Sequence, residues 1–327
     1  MNTPIPTKQL GKNGPRVSAL GLGCMSIQKS KDENESVGTI QAALDAGINF
    51  LDTGDFYGMG WSETLVGRAL KGRRDQAFIS VKCGAMFSPT GAFLGIDGRP
   101  NSIKNFATYS LQRLGVDVID LYQPCRVDPT VPYEDTIGAI ADLIKEGKVR
   151  YLGVSEVGAE NLRRAHKIHP VSALEIEYSL ACRFIEREIL PTARELGVSV
   201  IPYRVLADGL LTGTLSTNNP TGDTHMLPPR LEAENLQHNL VPVAALKEMA
   251  ARKNCTSAQL AVAWLLSRGD DIIPIVGMSR RSRLPENLKT LEIQLSADEL
   301  AELDRMFGPG AIKGDRYPAF VQKFAAQ

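Results

Sequence analysis

The chain has 327 residues, 43% of them hydrophobic and 23% charged, an ordinary globular balance with ample material for a large core. Its 37 lysines and arginines match 37 aspartates and glutamates, so no net field draws it to nucleic acid or to an acidic membrane surface. The opening stretch lacks the charged-then-apolar layout of a signal peptide, and no apolar run reaches the roughly 20 residues of a membrane span. The five cysteines (24, 83, 125, 182 and 255) are odd in number and lack CxxC spacing, which points to reduced thiols in a cytoplasmic protein.

In chain order, Lys8–Leu10 and Arg16–Ser18 flank Asn13-Gly14 and predict a small hairpin, because Asn-Gly suits a two-residue turn with positive φ. Short apolar runs then recur near 18–22, 48–52, 78–82, 118–122, 150–154, 173–178, 198–203 and 272–276, mostly bounded by Gly, Pro or Asn. Between them lie stretches with the 3.6-residue period of helices packed on one face, among them Glu35–Ala46, Ile103–Leu114 and Thr136–Lys145. Gly47, Gly115, Gly147 and Gly197 follow such stretches as helix stops.

Eight strand–helix units at near thirty-residue intervals predict an α/β fold of the (β/α)₈ TIM-barrel type, one domain over residues 1–327. The competing fold, an open doubly wound sheet, requires a glycine-rich phosphate loop. Gly21 to Ser26 supplies only G-x-G-x-x-S, and no suitable acidic residue follows the second strand. This stretch is better taken as a tight exit from the first barrel strand. Residues 208–236, rich in Gly, Thr, Asn and Pro, predict a long loop between the seventh and eighth strands that covers the site, with two helices after it.

Barrel sites lie at the C-terminal ends of strands. There the chain offers Asp52 and Tyr57 after the second strand, Lys82 after the third and Cys125 after the fourth. A phenol is a weak acid at neutral pH; an ammonium group beside it favours its ionised form, and a carboxylate keeps the ammonium charged and aimed. Tyr57 as proton donor, Lys82 as tuner and Asp52 as orienter suit the reduction of a carbonyl. Each has a plainer role available: Asp52 as a turn cap, Lys82 as a Schiff-base or structural charge, Tyr57 as a rim aromatic. Their joint spacing favours the catalytic set.

These motifs carry a family resemblance. NFLDTGDFYGMGWSETLVGRAL, FISVKCG, SLQRLGVDVIDLYQ, GKVRYLGVSE, LEIEYSLACR, GLLTG and VGMSRRSRLPEN resemble, in order and over nearly the whole chain, the aldo-keto reductases. The flavour is that of the bacterial, fungal and plant branch with pyridoxal reductase-like enzymes. The resemblance implies the catalytic set Asp52, Tyr57 and Lys82, a small carbonyl substrate, and NADP(H) extended across the barrel mouth. It also implies Ser155 and Glu156 near the nicotinamide amide, and Glu175 where the family usually has Gln for the same amide. Tyr203 matches the aromatic that stacks on the nicotinamide ring, although Arg204-Val205 replaces the usual Ser-Pro.

At the adenosine end, Gly277 and Ser279 open a segment with Arg280, Arg281 and Arg283. Guanidinium groups before a helix N-terminus suit phosphate oxygens, with a solvated basic turn as the plainer alternative. The resemblance assigns Arg283 to a 2′-phosphate and Glu286 and Asn287 to the adenine, favouring NADP over NAD.

In the family, the position of Cys125 is normally a histidine that hydrogen-bonds the substrate carbonyl. None of the four histidines (166, 169, 225 and 238) lies near that strand end. A nucleophilic role lacks a His base. A metal or disulfide role lacks ligand spacing, and strand alternation sends Cys83 away from Lys82. Two readings stay open: a reductase slowed or re-tuned by a thiol, or an NADPH-binding sensor or regulatory partner with little turnover. A thiol near both Lys82 and a cationic nicotinamide is also expected to have a lowered pKa and to oxidise easily. The loop from Gly84 to Arg99, the 208–236 segment and Arg316-Tyr317 are expected to wall the pocket, with Trp61, Phe87 and Phe93 as an apolar lining.

Overall fold

The computed structural model describes residues 4–27, 32–219 and 227–326. It opens on an antiparallel pair, β1 (Thr7–Gln9) and β2 (Arg16–Ser18), with Gln9 opposite Arg16. The hairpin is present, but its turn is not the two-residue Asn13-Gly14 turn. Such a turn would close on a Lys12–Pro15 pair, and Pro15 has no N–H to give. The chain instead turns at Gly11, with φ +59°, where a Cβ would meet the Ser172 carbonyl oxygen at 2.6 Å.

Eight parallel strands follow. They are β3 (Gly21–Gly23), β4 (Phe50–Gly54), β5 (Phe78–Cys83), β8 (Ile119–Pro124), β9 (Val149–Ser155), β10 (Val171–Glu177), β11 (Ser199–Tyr203) and β12 (Ile275–Gly277). They pair in the order β11-β10-β9-β8-β5-β4-β3-β12, and a parallel bridge between Val200 and Ile272 brings the last segment back to β11. The sheet is a barrel, as the strand–helix rhythm predicts. A second hairpin, β6 (Ala85–Phe87) with β7 (Phe93–Ile96), stands on the loop after β5.

The G-x-G-x-x-S stretch is half strand and half exit turn, with residues 24–26 leaving the barrel. Gly21 and Gly23 lie within β3, and a Cβ on Gly21 would meet the Phe50 ring at 2.5 Å and Ile275 at 2.8 Å. Glycine here lets a bulky ring fill the barrel.

Helices α1 (Glu33–Asp45), α2 (Trp61–Ala69), α3 (Pro100–Leu114), α4 (Tyr133–Lys145), α5 (Ala159–Ile168) and α6 (Ile189–Leu196) connect the strands from outside. Asp32 caps α1 by accepting from the Asn34 and Glu35 amides, supplying partners that a helix start lacks. The four helix-stop glycines all take positive φ. Their apolar stripes pack on the outward residues of the strands to form the main core.

The connection from β11 to β12 holds two helices, α7 (Ala233–Arg252) and α8 (Ser257–Leu266). A capping box between Thr256 and Gln259 starts α8. The expected long loop is shorter than residues 208–236, since α7 begins at Ala233; its residues 220–226, with His225, lie outside the described residues. Beyond β12 come α9 (Leu284–Lys289), α10 (Ala297–Met306) and α11 (Ala319–Gln322). Among the described residues no helix is long and apolar enough to cross a membrane.

Strand alternation stacks the barrel interior in rows. Leu10 and Val17 of the first hairpin close the lower end against Phe50, Phe78, Leu121, Ala173 and Ile201. Two residues further along the same strands, the inward positions are Asp52, Ser80, Gln123 and Glu175, and Lys82 follows two residues after Ser80. One period therefore builds a dry base and a polar mouth.

Candidate active site

Lys82 is the centre of the mouth. Its Nζ donates to Asp52 Oδ2 at 2.5 Å and to Glu175 Oε2 at 3.0 Å, and all three side chains are buried. Two residues absent from the sequence reading hold the carboxylates. Ser80 Oγ donates to Asp52 Oδ1 at 3.0 Å, and Gln123 Nε2 donates to Glu175 Oε2 at 2.6 Å and to Ser80 Oγ at 3.1 Å. The signal for both was the inward parity of their strands: Gln123 lies two residues from the inward Leu121, and Ser80 two from Phe78.

Two buried carboxylates share one ammonium. Burial first, and the Asp52 charge second, push Glu175 up to about 8, against the pull of Lys82. For Lys82, burial works against the charge, but Asp52 and Glu175 overcome it and hold the ammonium well above its ordinary range.

Tyr57 lies on the loop after β4, with Lys82 Nζ 5.2 Å from its ring centroid. Lysine proximity was expected to lower its pKa. Burial outweighs that pull, and Asp52 and Glu175 add to the upward shift, so the phenol stands above its usual range. It is a proton-bearing group, turned away from phenolate by the desolvation that also surrounds Lys82.

Cys125 sits just past β8, where its amide donates to the Cys83 carbonyl at 2.8 Å. Burial pushes its thiol up to about 12, with Arg126 and Lys82 pulling weakly the other way. Among the protein's own groups, desolvation of the thiolate exceeds the attraction of Arg126 and Lys82. Cys83 turns outward instead, its Sγ 3.5 Å from the Gln123 carbonyl oxygen, as alternation predicts. No group of three or more His, Cys, Asp or Glu among the described residues is arranged to hold a metal.

The other side of the mouth is bound to the C-terminal tail. Glu156, in the left-handed region at φ +52°, follows β9. Its Oε1 accepts from the Glu177 amide at 3.0 Å, Tyr203 Oη at 2.8 Å and Arg316 at 3.1 Å; its Oε2 accepts from Arg316 and the Ala326 amide, both at 3.1 Å. Burial alone would raise this carboxyl, but Arg126 and Arg316 bring it to about 2. Tyr317 shares a hydrogen bond with Tyr203, and the Arg204 guanidinium lies 4.4 Å from the Tyr317 ring centroid.

Ser155 differs from its neighbour. Its hydroxyl is buried, faces the mouth and has no hydrogen-bond partner among the described residues. An unpaired buried hydroxyl is costly and calls for a polar group to complete it. An amide or carbonyl of a bound molecule fits that place.

Gly277, the last residue of β12, is exposed; beyond it Ser279 is half-buried and Arg283 is exposed before the N-terminus of α9. Arg281 is bound to Glu35 at 2.7 Å, whereas Arg283 makes no ion pair among the described residues. Glu286 accepts from Thr256 Oγ1 at 3.2 Å, and Asn287 lies beside it on α9. This cluster follows β12, which is separated from β4 and its Asp52 by β3 in the strand order.

The expected lining is placed in part. Phe87 and Phe93 meet edge-on with centroids 5.6 Å apart, and Phe93 meets Phe324 of the tail at 5.9 Å. Trp61 opens α2, where Arg68 lies over its ring at 5.0 Å, and it packs against the outer core.

Comparison with known proteins gives a consistent picture. The family model described as the Aldo/keto reductase family matches residues 19–307. A probable aldo-keto reductase 1 from Glycine max is 39% identical over 319 residues, covering 96% of this chain and 92% of that protein. The solved glycerol dehydrogenase from Gluconobacter oxydans superposes with a TM-score of 0.85 at 28% identity, over 92% of this chain and 94% of its own. An aldo/keto reductase from Klebsiella pneumoniae, in complex with NADP and acetate, gives a TM-score of 0.76 at 25% identity, over 96% and 99%.

Proposed function

Because the chain belongs to the aldo/keto reductase family, whose members are NADP(H)-dependent oxidoreductases, we propose that it reduces an aldehyde or ketone to an alcohol with Tyr57 as proton donor. The observation that carries this reading is the buried Lys82 group: an ammonium clamped by Asp52 at 2.5 Å, with Tyr57 beside it at the C-terminal end of the barrel. When bound, the reduced nicotinamide supplies hydride to the carbonyl carbon. Tyr57 Oη then gives its proton to the carbonyl oxygen, and the Lys82 charge stabilises the phenolate left behind. Asp52 keeps that charge in place, and burial keeps water from competing.

Cys125 takes the fourth position of the set, as the residue standing where the family's histidine is expected. It is a weaker donor than imidazole, so Tyr57 and Lys82 carry most of the stabilisation of the developing oxyanion. The unpaired Ser155 hydroxyl supports a place for the nicotinamide amide. Arg283, without an ion pair and next to the start of α9, supports a 2′-phosphate there, with Gly277, Ser279, Glu286 and Asn287 around it. Glu156 acts on the cofactor through the tail, since both its oxygens are already engaged, while Tyr203, held by its hydroxyl to Glu156, offers its ring to stack on the nicotinamide. The pyridoxal reductase-like branch and a single-domain chain belong to the same reading.

The test is NADPH oxidation, followed by absorbance, across aldehydes, ketones and dicarbonyls. Turnover by the wild type and a loss of about 10²–10⁴-fold or more in Tyr57→Phe, with NADPH affinity retained, is the expected result. NADPH binding with no turnover on any carbonyl would move the protein to the sensor reading.

A further inference from the structure

The charges at the tail side of the mouth do not balance. Four guanidinium groups meet there, those of Arg126, Arg204, Arg230 and Arg316. Three carboxylates answer them: Glu177 and Asp208 pair with Arg230 at 2.6 and 3.0 Å, Arg204 reaches Asp208 at 3.2 Å, and Glu156 takes Arg316 at 3.1 Å. Four cations less three anions leaves one positive charge, and it falls on Arg126.

Arg126 is half-buried and makes no ion pair among the described residues. Its Nη1 donates to the Cys125 carbonyl at 2.6 Å, and its Nη2 reaches Tyr317 Oη at 3.2 Å and Tyr203 Oη at 3.5 Å. Neutral acceptors hold its position without cancelling its charge. Glu156 is within electrostatic reach but already carries Arg316 and three further hydrogen bonds. A desolvated charge without a counter-ion is costly, and a residue that only clamped Tyr317 would not need to be charged.

Its place in the chain gives the surplus a use. Arg126 directly follows Cys125, whose thiol is within electrostatic reach of Lys82. Resting on the reductase reading above, we propose that the substrate is a carbonyl compound bearing a carboxylate, and that Arg126 binds this carboxylate while the carbonyl meets Tyr57. The second Nη1 hydrogen and the Nε hydrogen are left for the carboxylate, since Nη2 is taken by the two tyrosines, and a charge-assisted hydrogen bond of this kind is roughly twice as strong as a neutral one. One surplus cation suits one carboxylate, whereas a phosphate dianion would leave a second charge unanswered. Arg126 is thus a specificity-determining residue.

Matched substrates separate this from the reductase reading itself. With saturating NADPH, 4-carboxybenzaldehyde is expected to exceed benzaldehyde in kcat/KM by tenfold or more. In Arg126→Leu that ratio falls by roughly 10- to 100-fold, through KM of the acid, the size expected for a lost hydrogen bond to a charged group. Arg126→Lys recovers part of it, and unchanged melting of both variants shows that they fold. A wild-type ratio near one, or the same ratio in Arg126→Leu, overturns the inference while leaving carbonyl reduction intact.

If neither aldehyde turns over, the reductase reading fails for these substrates and binding alone decides. Benzoate is titrated calorimetrically into the NADP⁺-saturated protein. Binding by the wild type that weakens at least tenfold in Arg126→Leu supports the carboxylate site; no binding, or equal binding by both, removes it.

Discussion

At the hairpin end of the barrel, Leu10 and Val17 press on Phe50, Phe78 and Leu121, all buried and none bearing charge. One row higher the same strands carry Asp52, Ser80 and Gln123, with Lys82 a row above them, equally buried and joined by hydrogen bonds of 2.5 to 3.1 Å. The backbone is alike at both ends; only the inward side chains differ. At the base, any apolar group of the right volume serves, and burial stabilises the fold by roughly 1.5–3 kcal/mol for each large side chain. At the mouth, burial works against every charge, and the Lys82 group keeps its position because Lys82, Asp52 and Glu175 bind one another. The base therefore supplies the stability that lets the mouth be strained and charged, with Glu156, Arg204, Ala207 and Asp208 all in the left-handed region there.

The sharpest way to break this contrast is to damage the base and look at the mouth. Leu121→Ala removes a fully buried side chain next to Phe78, and a loss of about 2–5 kcal/mol in unfolding free energy is expected. Turnover per folded molecule should change far less than in Tyr57→Phe. Urea melts paired with active-site titration check both halves. If kcat fell as steeply as stability, the two ends would not be separable.

A smaller effect is expected within the mouth itself. Cys125 is buried beside a set that otherwise lacks a ring donor. Cys125→His adds one, and loss of such a donor costs on the order of 10²–10³ in other enzymes. A rise of about 10- to 100-fold on small aldehydes follows if the thiol is only a weak substitute. An unchanged or lower rate, in a variant that melts normally, would show that the thiol has a tuned role of its own.

The base was the easier end to read from sequence, for a physical reason. Alternation and helical period follow from backbone geometry, so the eight runs marked strands to within a few residues. Asp52, Tyr57, Lys82 and Cys125 were legible because strand ends face the mouth in a barrel. The Asn13-Gly14 turn misled because Pro15 vetoes the pairing that such a turn requires. Arg316-Tyr317 was legible as a pocket wall but its partners were not: Arg316, Tyr317 and Ala326 meet Glu156 and Tyr203 across more than a hundred residues, and no local pattern encodes that approach. Gln123 and Ser80 were accessible to the parity argument. Arg126 was visible only as a residue next to Cys125, since its unpaired state depends on where three distant carboxylates find their partners.

The smallest expected effect concerns Glu175, the point where the mouth carries one carboxylate more than its ammonium requires. Its pKa stands at about 8, raised from an ordinary 4.5 by burial and then by Asp52. A folded-state value above the unfolded one means that the native protein holds the proton more tightly. The associated stability is complete below about pH 4.5 and is lost as pH rises through about 8. Glu175→Gln removes this titration while Lys82 keeps Asp52 at 2.5 Å. The wild type should therefore lose a few degrees of melting temperature between pH 6 and pH 9 that the variant keeps, and any limb near pH 8 in kcat/KM should flatten in the variant. Parallel melting curves across that range would place the extra proton elsewhere in the Lys82 group, and would mean that the base and the mouth differ less in how they carry charge than their side chains suggest.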